Sequence, residues 1–245
     1  MAAVVEVENL RFRYPDGVEA LRGIDFTLEE GETVALLGAN GSGKTSFLLH
    51  LVGLLRGEGR IRICGRELAE ETIGFARRKI GVLFQDSDDQ LFMPSVEEDV
   101  AFGPRNQKLS DDEVERRVAG GLSRAEVADL RERAPHHLSA GQKRRVALAG
   151  LLAMEPEILL LDEPATFLDP PSRNHLIETL RELDQAQILV THDLELARSL
   201  AGRAVFFEQG RVAGEGTVDE VAERFAWGSA PQGGAISSGA SDGGV

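Results

Sequence analysis

Thr33-Val34-Ala35-Leu36-Leu37-Gly38-Ala39-Asn40-Gly41-Ser42-Gly43-Lys44-Thr45-Ser46 is the stretch that decides the fold. An apolar run, a glycine-rich turn and a helical stretch 44–55 follow one another, the order of a buried strand feeding a phosphate-cradling loop. The glycines let successive backbone N–H groups turn inward, and the helix N-terminus adds its positive dipole end. Candidate triphosphate-binding positions are therefore Gly38, Ala39, Asn40, Gly41, Ser42, Gly43, Lys44, Thr45 and Ser46. Lys44 is suited to bridge β- and γ-phosphates, and the Thr45 hydroxyl to ligate Mg²⁺.

A second apolar run, Ile158-Leu159-Leu160-Leu161, delivers Asp162-Glu163 at its C-terminal end, where ligands of parallel sheets sit. Asp162 is a candidate for the Mg²⁺ shell, and Glu163 is placed to orient and deprotonate an attacking water. Two acids after a strand say little alone. Beside the glycine-rich loop they complete a nucleotide site.

Outward from these motifs, residues 4–14 and 20–28 alternate apolar and polar positions around Pro15-Asp16-Gly17, the pattern of two antiparallel strands. Residues 60–64 read as a second small sheet segment, followed by 79–84. The middle, about 86–155, turns helical, with capping-box pairs Ser95/Glu98, Ser110/Glu113, Ser123/Glu126 and Ser139/Gln142 as start signals. From residue 157 the pattern returns to strand–helix alternation, with helices over 172–183, 194–200 and 218–225. Thr191 is a possible N-cap ahead of the second of these. The fold class implied is α/β: a mostly parallel sheet covered by helices, with an inserted helical segment. One domain over 1–227 and a disordered Gly/Ser/Ala-rich tail over 228–245 are expected.

Acidic residues outnumber basic ones 41 to 27, which argues against nucleic acid as a partner. Cys64 is the only cysteine, so no intrachain disulfide can form; a packed, unreactive thiol in a reducing compartment is expected. Residues 1–7 lack the regions of a signal peptide, and no apolar run is long enough to span a bilayer. Residues 146–154, the longest apolar candidate, read as a core helix.

Leu138-Ser139-Ala140-Gly141-Gln142, about twenty residues before Asp162 and opening a helix, resembles the signature of the ABC ATPases. The resemblance runs from about residue 4 to 225, because further family elements occur in order. Tyr14 resembles the aromatic residue that stacks on adenine, and Gln85 the Q-loop glutamine that reaches Mg²⁺. Asp169 resembles the D-loop aspartate, and His192, in Val190-Thr191-His192-Asp193, the switch histidine. The resemblance implies an ATPase binding ATP and Mg²⁺, with Glu163, His192 and Gln85 catalytic. It further implies that Ser139, Ala140, Gly141 and Gln142 serve the ATP of a second cassette, either the same chain or a homologue. Ala140 stands where relatives most often have Gly, and Phe167 is bulky for its place.

The stretch from Gln85 to Pro104 resembles the ATPases of energy-coupling-factor importers, and phrases such as Leu91-Phe92-Met93-Pro94 resemble the cobalt/nickel branch. That likeness implies a peripheral subunit on the cytoplasmic face of the membrane. Its partners are a transmembrane coupling subunit and a substrate-binding membrane subunit, and the substrate is a transition metal ion or a vitamin. Asp86, Asp88, Gln90 and Glu97 fall at EF-hand-like offsets, but Leu91 occupies the position that needs Gly. A soluble ABC ATPase acting on DNA or ribosomes is the rival reading; only about fifty residues separate Gln85 from Ser139, without sustained heptads.

Overall fold

The computed structural model describes residues 2–85 and 90–228. Apart from Gly228, the tail expected over 228–245 lies outside the described residues, as do Asp86 and Asp88. In chain order the first elements are β1 (Ala3–Arg13), β2 (Glu19–Glu29), β3 (Thr33–Leu37), α1 (Lys44–Leu51), β4 (Glu58–Ile63), β5 (Arg66–Glu67), α2 (Ile73–Lys79) and β6 (Ile80–Leu83). Then come α3 (Val96–Asn106), α4 (Asp111–Arg124), α5 (Ala140–Ala153), β7 (Ile158–Asp162) and α6 (Pro170–Arg181). The chain closes with β8 (Ala186–Val190), α7 (Leu194–Leu200), β9 (Arg203–Glu208), β10 (Arg211–Gly216) and α8 (Val218–Arg224).

Two sheets form. One has the order β2-β1-β4-β5 and is antiparallel throughout. The other has the order β10-β9-β3-β8-β7-β6; its strands run parallel except β10, which pairs antiparallel with β9. This is the mixed-sheet α/β fold that the resemblance implies. β6 therefore edges the larger sheet, although β4 before it belongs to the smaller one.

Strands β7 and β8 are buried at every residue because apolar layers cover both sheet faces. Alternate residues go opposite ways. Val34, Leu36, Ile158, Leu160, Ile188 and Val190 meet α1 and the antiparallel sheet. Leu159, Leu161 and Leu189 meet α5, α6 and α7. Each such leucine contributes about 1.5–3 kcal/mol of burial. The strand ends that carry Leu37 and Asp162 are thus held rigidly side by side with β8.

The helices between β6 and β7 build a core of their own from Val96, Val100, Val114, Val118, Leu122 and Val146. Ser95 caps α3 and Ser110 caps α4, each accepting from the backbone N–H three residues on. Ser139 and Gln142 form a full reciprocal capping box on α5. The start signal at Ser123/Glu126 is a correction: α4 runs through Ser123 to Arg124, and Glu126 sits at φ 52, where the helix has already ended. Leu122, Ala125 and Val127 are buried there, so packing turns the chain instead of starting a helix. α2 was not anticipated. Ala76 is its one buried residue, and it carries no apolar stripe to announce it. No helix among the described residues is long and apolar enough to cross a membrane.

Candidate nucleotide site

The loop after β3 is shaped by close backbone packing. Gly38 has φ 134, and a Cβ there would stand 2.2 Å from the Phe207 carbonyl oxygen on β9. Gly43, the residue before α1, has φ 111, and its Cβ would meet the Ala20 carbonyl oxygen at 2.6 Å. Gly41 differs: at φ 77 its Cβ position is open. Glycine is thus demanded at 38 and 43 by the walls of the fold, and at 41 chiefly by backbone conformation.

The loop curls around Lys44, which is 7% exposed. Its ammonium donates to the carbonyls of Gly38 at 2.7 Å and Ala39 at 3.0 Å. Burial lowers the Lys44 pKa, while the charges of Glu163 and Asp162 work against that shift. Across the loop, the Thr45 hydroxyl donates to Asp162 Oδ2 at 3.2 Å. Burial raises the Asp162 carboxyl above its ordinary range, opposed by the Thr45 hydrogen bond; the neighbouring Glu163 charge raises it further. A hydroxyl and a buried carboxylate brought together are hard oxygen donors that suit Mg²⁺. Among the described residues no group of three His, Cys, Asp or Glu side chains could hold a metal ion by itself. Such a cation would therefore need phosphate oxygens and water to complete its shell.

Glu163 follows at φ 48, a conformation that turns its side chain away from the strand direction. Three donors hold its carboxylate. His192 Nδ1 lies 2.8 Å from Oε1, and the hydroxyls of Thr166 and Thr191 each lie 3.4 Å from Oε2. An ionised carboxylate can only accept, so His192 Nδ1 carries the proton in this pair. His192 enters from the loop after β8. The N-cap of α7 is Asp193, not Thr191: Asp193 accepts from the N–H groups of Glu195 and Leu196, while Thr191 accepts from Asp193 N. Arg173 of α6 grips Asp193 through Nε and Nη2, at 3.1 and 2.8 Å. Thr166 and Arg173 were not singled out from the sequence, and Thr191 was read only as a possible N-cap. Their partners lie up to 28 residues away, and no local pattern marks them.

Glu163 opens on a cleft of about 620 Å³, a size suited to a nucleotide, while His192, Thr166, Thr191 and Arg173 stand behind it and do not line the cleft. Lys44, Thr45, Ser46, Asp162, Glu163 and Gln85 face it, as do Asn40, Gly41 and Gly43. Tyr14 lies at the same cleft, its hydroxyl 3.0 Å from Ser46 Oγ and its ring edge-on to Phe12. Arg22, Val18 and Gln209 also line it and were not anticipated.

Residues 139–142 do not line this cleft. Ser139 and Ala140 are exposed on the surface, so the extra methyl of Ala140 meets no wall of this chain. Gly141 is buried, and a Cβ there would stand 2.4 Å from Ser172 Oγ at the start of α6. Asp169 caps α6 by accepting from Ser172 N at 2.8 Å. Phe167 is 87% exposed at φ 64. The EF-hand-like set does not assemble within the described residues: Gln90 bonds β6 and its end, and Glu97 pairs with Arg131. His136 and His137 form an exposed turn. Cys64 donates to Glu157 at 3.1 Å, and its thiol pKa is pushed up to about 12 by burial and that carboxylate.

A family profile described as ABC transporter matches residues 21–166, more than half of the chain. A protein of Streptomyces avermitilis, provisionally named an ABC transporter ATP-binding protein, is 50% identical over 221 residues, covering 90% of this chain and 84% of the relative. The energy-coupling factor transporter ATP-binding protein EcfA of Carboxydothermus hydrogenoformans is 47% identical over 220 residues, covering 88% and 82%. Among solved structures, cbiO1 of Clostridium perfringens, part of the ABC transporter complex cbiONQ, superposes with a TM-score of 0.84 at 38% identity, covering 92% of both chains. The dimeric post-hydrolysis state of the cassette MJ0796, bound to ADP and Pi, superposes at 0.77 with 30% identity, covering 87% and 98%.

Proposed function

The chain belongs to the ABC transporter ATP-binding family, ATPases that dimerise and work with membrane subunits, and from that premise we propose that it is the motor of an energy-coupling-factor importer. One observation carries the dimeric part of the reading. The cleft is lined by Lys44, Thr45, Asp162 and Glu163, the last bonded to His192, whereas Ser139 and Ala140 are exposed away from it. The free end of α5, with Ser139 at its N-cap, is suited to meet the γ-phosphate held by a second cassette.

In this mechanism Lys44 exchanges its loop carbonyls for β- and γ-phosphate oxygens, and Tyr14 stacks on adenine. Thr45, Asp162 and Gln85 would hold Mg²⁺, which would supply charge neutralisation at the phosphates. Glu163 accepts the proton of the attacking water, and His192 fixes the carboxylate's orientation. Closure of two cassettes excludes water and strengthens each contact to phosphate.

Support for the importer branch comes from the EcfA relative, the cbiO1 likeness and the residues after Gln85. There Phe92 is 62% exposed and packs edge-on to Phe102, an apolar patch for a coupling helix. The partners are a transmembrane coupling subunit and a substrate-binding membrane subunit, placing the chain on the cytoplasmic face of the membrane. A transition metal ion, cobalt or nickel, is the substrate we favour, with a vitamin as the alternative. The domain spans 1–227, its helical part about 86–155.

The test is light scattering of Glu163→Gln with and without ATP, alone and mixed with any companion cassette that copurifies. An ATP-dependent shift from about 26.5 kDa to twice that mass supports the reading. A species that stays monomeric with ATP in both settings overturns it.

A further inference from the structure

Arg144 is nearly fully buried, at 3% exposure, although it sits in the basic run Lys143-Arg144-Arg145. A guanidinium enters a protein interior only where its N–H groups find acceptors. Here Nη1 donates to the carbonyl of Phe84 and Nη2 to that of Gln85, each at 2.5 Å. The fork thus grips two consecutive peptide groups some sixty residues earlier in the chain. Gln90 closes the same spot from the other side: its Oε1 accepts from Phe84 N at 3.1 Å, and its Nε2 donates to Val82 O at 3.0 Å. Both polar groups of the Phe84 backbone are therefore held by side chains.

The two ends of this link matter. Arg144 lies five residues beyond Ser139 on α5, one rigid helix. Gln85 lies at the rim of the nucleotide cleft. We propose that Arg144 is a positioning residue that fastens Gln85 to the α5 helix, so that a shift of α5 moves the glutamine into or out of the cleft. The inference rests on the reading of Gln85 and Ser139 given above. On that reading Ser139 serves one ATP and Gln85 the other, and Arg144 is the mechanical joint between the two sites. Two carbonyls one residue apart need a planar fork; a lysine ammonium keeps the charge without that geometry.

The experiment measures kcat, ATP affinity with a fluorescent ATP analogue, and melting temperature for Gln85→Ala, Arg144→Lys, Arg144→Ala and the double variant Gln85→Ala/Arg144→Ala. Misplacing a catalytic group by about 1 Å costs on the order of 10²-fold. Both Arg144 variants are expected to lose kcat on that scale while ATP affinity stays within about threefold, and the double variant should be no slower than the slower single one. Multiplying losses, or wild-type kcat in Arg144→Lys, would overturn the proposal. If Arg144→Ala does not fold, Arg144→Lys and the Gln85→Ala/Arg144→Lys pair carry the test; if Arg144→Lys also unfolds, the role is structural and the proposal fails. Gln85→Ala alone tests the underlying reading: wild-type turnover there removes the role of Gln85, whatever the Arg144 variants show.

Discussion

Replacing single glycines of the phosphate loop separates what the fold demands from what the ligand demands. At Gly38 an alanine must adopt φ 134 and place its Cβ 2.2 Å from the Phe207 carbonyl oxygen. The left-handed backbone costs an L-residue about 1–2 kcal/mol. Relieving the overlap means moving β3 against β9 by about 1 Å, an overpacking cost of roughly 1–3 kcal/mol or more. Together these give about 2–5 kcal/mol, or on the order of 4–20 °C in Tm for a chain of this size. At Gly41, φ is 77 and the Cβ position is open, so only the backbone term applies. A restricted unfolded chain returns about 0.4–1 kcal/mol of it, leaving a loss near ~1 kcal/mol. Thermal melts of Gly38→Ala and Gly41→Ala, with ATP titrations beside them, test this. Gly38→Ala should melt far lower, whereas Gly41→Ala should melt within a few degrees of wild type but bind ATP weakly. Equal melting temperatures would refute the claim that the β9 backbone dictates Gly38.

Three further outcomes rest on side-chain environments. Phe167→Gly relieves a left-handed backbone and gives up little burial, because the ring is 87% exposed; Tm should hold or rise slightly, and a fall beyond about 4 °C, roughly 1–2 kcal/mol, would mean that the ring packs in solution. Burial raises the folded-state pKa of Asp162, so its ionised form is disfavoured and stability drops as pH rises through that pKa. Asp162→Asn should therefore melt above wild type at pH 7 without nucleotide, with the gap closing as pH falls toward the ordinary Asp value of about 3.9, while Mg²⁺-dependent hydrolysis is lost. Cys64, with its thiol pushed up to about 12, should resist alkylation at pH 8 in the native protein and react once unfolded; fast native labelling contradicts its contact with Glu157.

Much of the central sheet was legible because its strands obey strong local rules. Ile158 to Leu161 is a short apolar run ending in two acids, and Gly38 to Thr45 is a glycine-rich loop between an apolar run and a helix, so each pointed to a strand buried on both faces. The start of α5 was legible from Ser139 and Gln142 alone, since a capping box is a local device. Local devices also misled. Ser123 and Glu126 have the same spacing, yet Leu122, Ala125 and Val127 are drawn into the helical core and end the helix there. α2 was invisible because it buries only Ala76. At the candidate site, the residues proposed to bear chemistry were marked in the sequence by type and order. Those that hold them were not: Arg144, Thr191 and Arg173 act on partners distant in the chain, Thr166 sits in a turn three residues after Glu163 with no motif to mark it, and in the sequence Arg144 looks like a solvated base.

Hydrolysis in this mechanism turns on Glu163 as the base for water attack on a bound triphosphate. The most direct measurement is single-turnover ATP hydrolysis by Glu163→Gln and wild type, with ATP affinity measured on the same preparations. Affinity should stay within about threefold and hydrolysis should slow by about 10²–10⁴-fold, the usual worth of a general base. Hydrolysis at the wild-type rate in Glu163→Gln, with ATP still bound, would contradict that role.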